Sequence, residues 1–338
     1  DDLRGRGVPG LVIFSSGTTG VSKGAVHDAT RLLSKFETPG KDFRTLAFLL
    51  FDHIAGVDTL LYCLSNASTI ICPAERTPEA ICRLIAAEAV EVLPTAPSFL
   101  NLMLLSGAHE RHDLSSLKIV TYGAEMMPQA LLERVAAALP QARLVQKYGT
   151  SEIGALRSKS EGSASRWIRI GGHGGGQGAE WRVVDGLLEV RTGTAMLGYL
   201  NAPDESAAKM QGDWFLTGDQ GAMAVDGQIT YLGRDDDMMN AGGYRVSPLE
   251  VEAVLSHHPE IEQVGVTDIE IKPDTRIIAA FYASPAPLDE TALRAYVNDK
   301  LARYKQPRAY IHLQVLPTGA NGKLLRRALP AYFKASET

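Results

Sequence analysis

The chain has three cysteines among 338 residues, no long apolar run and no excess of positive charge. Cys63, Cys72 and Cys82 are odd in number and lack C-x-x-C spacing, which argues against a disulfide framework and a cysteine zinc site. They are expected to be reduced, buried thiols of a cytoplasmic protein. No apolar stretch approaches the roughly 18 residues of a membrane span; the run LAFLLF at 46–51 is of core-strand length. With 34 basic and 39 acidic residues the net charge is −5, so no broad basic face is on offer and nucleic acid is excluded as main partner. The opening residues carry no secretion-signal pattern. Their lack of an initial Met is compatible with a trimmed chain. No internal repeat is present.

What the chain does have is the stretch SSGTTGVSKG at 15–24, directly after the apolar run LVIF at 11–14. Backbone N–H groups, hydroxyl donors and one lysine concentrated behind a strand can hold phosphate. The G-x-x-x-x-G-K-[ST] phosphate loop does not fit, because Ser22 stands five positions after Gly17 and Gly24 follows Lys23. A flexible surface loop is the plain alternative.

Hydrophobic residues at 45% and charged residues at 22% describe an ordinary globular chain, long enough for two domains. From residue 11 to 149, strand-like runs at 46–51, 69–72, 90–94, 118–122 and 143–147 alternate with helical patterns at 78–89, 97–106 and 128–139. That alternation predicts an α/β domain with a largely parallel sheet, whose ligands gather beyond the carboxyl ends of the strands. Residues 158–178 are rich in Gly and Ser and read as a mobile connection. Shorter strands at 181–184, 187–191 and around Asp226-Gly227 predict a β-rich subdomain. The pattern Ser247-Pro-Leu-Glu250 predicts a capped helix over 248–257, and with strands near 264–267 and 277–282 it opens a small α+β domain. The expected division is 1–232, a hinge at 233–237, and 238–338.

Four further segments are YGTSE at 148–152, WFLTGD at 214–219, GRDDDMMNAGGYRV at 233–246 and NGK at 321–323. In this order and together with SSGTTGVSKG they are specific, and the chain resembles the adenylate-forming superfamily: acyl-CoA synthetases, peptide-synthetase adenylation domains and luciferases. The resemblance runs from Leu11 to Arg327. It implies a large amino-terminal α/β domain with a β-rich subdomain and a small carboxy-terminal α+β lid. It also implies attack of a carboxylate on the α-phosphate of ATP, with pyrophosphate leaving and an acyl-adenylate formed, a reaction helped mainly by positioning and charge stabilisation.

On that resemblance Ser15, Ser16, Gly17, Thr18, Thr19, Gly20 and Lys23 wrap the β- and γ-phosphates. Gly123, Ala124 and Glu125 form the loop on which adenine lies. Tyr148, Gly149, Thr150 and Ser151 face the nucleotide, and Glu152 holds Mg²⁺, one carboxylate with phosphate oxygens being a normal magnesium arrangement. Asp219 receives the ribose hydroxyls, since a carboxylate accepts two donors at once, and Arg234 adds a ribose or phosphate contact. Lys323 is the catalytic lysine. Asp236 is the hinge about which the small domain turns, bringing Gly242, Gly243 and Tyr244 to a thiol tunnel for CoA or phosphopantetheine. His53 gates the substrate carboxylate, and Gly56, Tyr122, Gly123, Gly149, Ile153 and Gly154 line the acid pocket with it. Asp52 keeps open the alternative of an amino-acid ammonium.

Taken alone, each such residue has a plainer reading: Glu152 as a solvated carboxylate, the Thr217-Gly-Asp219 step as a turn, His53 as structural. His109, His112, His257 and His258 lack further ligands and are not read as metal sites. Arg326-Arg327 reads as a solvated face. Only 14 residues precede the loop, fewer than family members carry. Either the front was removed, or the chain is like the short adenylating proteins of aromatic-acid antibiotic pathways such as phenazine (griseoluteic acid) biosynthesis. The implied substrate is an aryl or bulky carboxylic acid. An acyl carrier protein or a downstream reductase is the implied partner, and a non-catalytic ATP- or acyl-adenylate-binding protein is the rival reading.

Overall fold

The computed structural model describes residues 2–15, 23–123, 125–163, 165–170, 178–241, 244–272, 275–319 and 324–336. The chain divides into two compact units, Asp1–Ala124 with Val135–Tyr231, and Glu125–Arg134 with Leu232–Thr338. The expected hinge stretch is taken up by the end of the strand Ile229–Arg234 and the 3-10 turn Asp235–Asp237.

In the first unit a five-stranded sheet runs in the order Thr69–Ile71, Arg44–Leu46, Val92–Thr95, Ile119–Tyr122, Arg143–Gln146. All its pairings are parallel. Between these strands lie Ile54–Ser65, Pro78–Glu88 and Pro97–Leu105, the last two beginning with Pro where a missing N–H costs nothing. Thr77 caps the second of these helices, its hydroxyl accepting from the Ala80 amide at 3.2 Å. The run at 46–51 is a correction: the strand stops at Leu46, and Leu50 and Phe51 are exposed. The chain turns there because His53 caps the next helix, its Nδ1 accepting from the Ala55 amide at 3.3 Å. Gly56 in the first turn lies so close to the Leu50 carbonyl that any Cβ would collide with it.

The apolar run at 11–14 lies outside the parallel sheet. Gly10–Ser15 pairs antiparallel with Lys23–Asp28, which pairs in turn with Gly198–Tyr199. Ile13 is buried while Val12 and Phe14 are 38% and 61% exposed, so this strand has one covered face, where an unbroken apolar run suggests two. A second antiparallel sheet takes the order Ser158–Ser160, Ile168–Ile170, Ile229–Arg234, Trp214–Met223, Leu187–Thr192, Ala179–Val184, with Met210–Gln211 beside Trp214–Met223. Two of its strands come from the stretch read as a mobile connection. Ile168, Ile170, Leu188, Val190, Phe215 and Ile229 form its core with Tyr148 and Ile153.

The second unit holds a three-stranded sheet of Gln263–Lys272, Thr275–Ala283 and Ala309–His312, the first pairing antiparallel and the second parallel. The helices Pro248–Leu255 and Glu290–Asn298 bury Val251, Leu255, Leu293 and Val297 in the core this sheet shares. Two expectations fail here. Ser247 makes no side-chain cap bond, and Glu250 instead pairs with Lys305 at 2.5 Å. Arg326 is no solvated charge: it is paired with the Glu252 carboxylate and donates to the Val266 carbonyl. Among the described residues no helix is long and apolar enough to cross a membrane. Cys63 and Cys82 are buried free thiols, whereas Cys72 is exposed, against the expectation of three buried ones.

Candidate active site

The hairpin Tyr148–Thr150 with Gly154–Leu156 carries the YGTSE segment. Its turn is held by three successive carbonyls. Ser151 O meets His27 Nε2 at 2.7 Å, Glu152 O accepts from the Met196 amide at 2.6 Å, and Ile153 O accepts from the Thr194 hydroxyl at 2.7 Å. A carbonyl can only accept, so Nε2 of the buried His27 carries the proton. Burial, the largest cause, holds the imidazole below its usual pKa and keeps it neutral.

Glu152 has one carboxylate oxygen fixed, Oε1 accepting from the Tyr199 hydroxyl at 2.8 Å. Its other oxygen has no hydrogen-bond partner among the described residues. That leaves a ligand atom for a hard divalent cation, which takes oxygen donors and keeps waters. Among the described residues no cluster of three or more His, Cys, Asp or Glu side chains could cage a metal by itself. The donor set therefore fits Mg²⁺ arriving with phosphate oxygens.

Tyr199 also ties this turn to the loop of hydroxyls. The strand Lys23–Asp28 pairs Ala25 with Tyr199, and Lys23 Nζ lies 5.5 Å from the Tyr199 ring centroid while pairing with Glu205. Ser15 and Lys23 are register partners, so both ends of the loop leave from adjacent strands. Ser16, Gly17, Thr18, Thr19 and Gly20 lie outside the described residues, as do Ala124, Gly242, Gly243 and Lys323.

At the other end of the hairpin the Tyr148 hydroxyl donates to the Asp219 carboxylate at 2.5 Å. Asp219 is 4% exposed, and its amide donates to the Thr217 hydroxyl at 2.9 Å. Burial first, and then the Asp219 charge, drives the Tyr148 pKa well above the usual phenol value, so the hydroxyl keeps its proton and remains a donor. The ring of Tyr148 stands edge-on to Trp181 at 5.3 Å. Gly149 has to be glycine, since a Cβ would run into the Gly154 carbonyl and lie 2.7 Å from Ala155 Cα.

The first unit thus brings together Ser15, Lys23, Tyr148, Gly149, Thr150, Ser151, Glu152 and Asp219. Tyr122 ends the strand Ile119–Tyr122 and Gly123 follows it; Tyr122 O accepts from the Lys147 amide at 2.7 Å. Ile153 is fully buried in the hydrophobic core and Gly154 is buried in the hairpin, so both pack rather than face open space. Glu125, Arg234 and Asp236 belong to the second unit, with Tyr244, whose strand Tyr244–Val246 pairs with Met239–Ala241. Sequence reading missed His27, Thr194 and Tyr199. No motif marks them, and their partners lie 124, 41 and 47 positions away.

Comparisons with known proteins concern the chain as a whole. The model of the AMP-binding enzyme family matches residues 9–200, and that of the AMP-binding enzyme C-terminal domain matches residues 250–323. The chain is 30% identical to 4-coumarate–CoA ligase 4 of Arabidopsis thaliana over 94% of its own length and 61% of the relative's. It is also 30% identical to a dimodular nonribosomal peptide synthase of Bacillus subtilis, over 96% of this chain and 14% of that one. The chain thus spans about three fifths of the length of the first of these curated relatives. Among solved structures it is similar to an anthranilate CoA ligase in complex with anthranoyl-AMP, with a TM-score of 0.82 at 25% identity, covering 97% of this chain and 68% of that one. With the YGTSE hairpin and the Asp219 carboxylate in one unit, and family models matching both parts of the sequence, the chain belongs to the AMP-binding enzyme family.

Proposed function

We propose that the protein activates a carboxylic acid with ATP, forming an acyl-adenylate and releasing pyrophosphate. The observation that carries this reading is the hairpin 148–156. At one end Tyr148 orients Asp219, and at its turn Tyr199 orients Glu152. In this reading the Tyr148–Asp219 bond presents one carboxylate to a ribose diol, and the Tyr199–Glu152 bond presents the other to a metal-bound phosphate.

In this reading the carboxylate of Asp219 accepts the two ribose hydroxyls, with Arg234 as a further contact. The loop from Ser15 to Lys23 donates to the β- and γ-phosphates, and Ser151 and Thr150 donate to the α-phosphate. Gly123 to Glu125 border the adenine. Bound at Glu152, Mg²⁺ neutralises phosphate charge. His53 faces the attacking carboxylate at the amino end of the helix Ile54–Ser65, and Lys323 supplies a positive charge as negative charge builds between the reacting oxygens. Rotation about Asp236, with Gly242, Gly243 and Tyr244 brought up, serves transfer to CoA or a carrier-protein pantetheine. The three free thiols suit a reducing cytoplasm.

The curated relatives are named as ligases of 4-coumarate and as a peptide synthase, and the solved one holds anthranoyl-AMP. These names support an aryl acid. The test is exchange of labelled pyrophosphate into ATP with a panel of aromatic, fatty and amino acids. Exchange dependent on one aryl acid is expected; ATP binding without exchange across the panel would leave a nucleotide-binding protein instead.

A further inference from the structure

The hairpin 148–156 borders a cavity of about 260 Å³ in the first unit, between the 3-10 turn Ser34–Phe36 and the helix Ile54–Ser65. Lys35, Asp58, Tyr62, Lys147, Leu156 and Arg157 line it. Three of these side chains are basic and one is acidic; with Lys35 paired to Asp58, Lys147 and Arg157 have no carboxylate in the lining. Lys35 is only 10% exposed at its side chain, and it is paired with Asp58 while donating to the Ala155 carbonyl at 2.7 Å. Arg157 is fixed by donating to the Lys35 carbonyl. Lys147 Nζ has no acceptor among the described residues. Burial first, and then Lys147 and Arg157, push the Lys35 pKa down to about 7.

The cavity shares its walls with the elements assigned to the acid. Asp58 stands five residues beyond His53 on one helix, about 7.5 Å along the axis. Lys147 and Arg157 flank the hairpin whose turn carries Ser151 and Glu152. Tyr62 and Leu156 add an apolar flank between the charges. The helix that His53 caps and the hairpin that carries Glu152 therefore both supply residues to the cavity wall, Asp58 and Tyr62 from the one and Leu156 from the other.

We infer that the cavity is an anion subsite, and that the acid carries a second negatively charged group, a carboxylate, held there by Lys147 and Arg157. This rests on the acyl-adenylate reading for the first carboxylate. Free phosphate shares the chemistry of such a group, and the experiment separates the two.

Binding is measured by calorimetry, with α,β-methylene-ATP and Mg²⁺ present, for matched acids: benzoate against terephthalate, cinnamate against 4-carboxycinnamate, hexanoate against adipate. In at least one pair the diacid is expected to bind tenfold or more tightly than the monoacid. Lys147→Met and Arg157→Gln should each reduce that ratio severalfold, with the thermal melt of each variant checked against the wild type. Equal affinity within every pair overturns the inference, as does a preference that both variants leave intact. Binding of inorganic phosphate with no preference between paired acids overturns it too, since the site would then be unconnected with the acid. If the diacid preference holds and responds to both variants while no acid supports pyrophosphate exchange, the adenylation reading fails and the subsite stands.

Discussion

Tyr148 and Asp219 are 71 positions apart in the chain and meet through one buried hydrogen bond of 2.5 Å. The phenol is the donor, so the carboxylate is held in place as an acceptor. Tyr148→Phe removes this restraint, and hydrogen bonds to charged groups are worth about 1.5–3 kcal/mol. The KM for ATP in pyrophosphate exchange should rise by about tenfold or more, with a smaller effect on kcat. An unchanged KM would show that Asp219 needs no such orientation.

Tyr199 plays the corresponding part for Glu152. In Tyr199→Phe the carboxylate loses the donor on Oε1 and swings between rotamers. The Mg²⁺ concentration for half-maximal exchange should rise severalfold, while the KM for ATP at saturating Mg²⁺ moves little. A shift in neither would remove Glu152 from the metal.

Lys323 lies outside the described residues, and its role rests on the NGK motif and the family to which the chain belongs. Lys323→Ala should lower pyrophosphate exchange by about a hundredfold or more, as removal of one preorganised charge-stabilising donor does elsewhere. Equilibrium binding of ATP should persist within about threefold, because the remaining contacts hold the ground state. Exchange close to wild type would reassign the lysine.

Asp28 predicts a pH dependence of stability. The Thr30 hydroxyl above all, then Arg6 and the Thr30 and Arg31 amides, hold its pKa at about 2, below the ordinary 3.8. The folded protein therefore releases the proton more readily than the unfolded chain. This contribution is complete above pH 3.8 and is lost as pH falls through 2. Asp28→Asn should be less stable at neutral pH, and its deficit against the wild type should shrink between pH 4 and 2 in urea melts. A deficit constant over that window would mean that the charge contributes nothing.

In the second unit the Arg326–Glu252 pair is largely buried, with side-chain exposures of 16% and 10%. Arg326→Ala leaves Glu252 without its cation and should cost about 3–5 kcal/mol in urea unfolding. Replacing both, as Arg326→Met with Glu252→Gln, should recover part of the loss. A single variant as stable as wild type would show the pair to be idle.

How much of this was legible follows from where the information lies. The strands near 69–71, 119–122 and 143–146 were readable because each is a short run that carries apolar residues into the core between helical patterns. The same rule misled at 46–51, where hydrophobicity continues past the last paired residue and only the cap at His53 and the packing of Gly56 end the strand. It misled again at 11–14, since Val12 and Phe14 are apolar yet exposed. Within the site, Glu152 and Asp219 could be found because their local motifs are distinctive. Their orienting partners Tyr199 and Tyr148 act over long sequence separations, and pairing of that kind leaves no local pattern. Arg326 was misread for the same reason: nothing near it announces Glu252.

The turn at 151–153 is suspended from its backbone oxygens, by His27, Met196 and Thr194. The Ser151 side chain bears none of that suspension, so evolution or an engineer can exchange it for another hydroxyl without unseating the segment. Scaffold and reagent are encoded in separate stretches of the gene, and each is free to drift at its own pace.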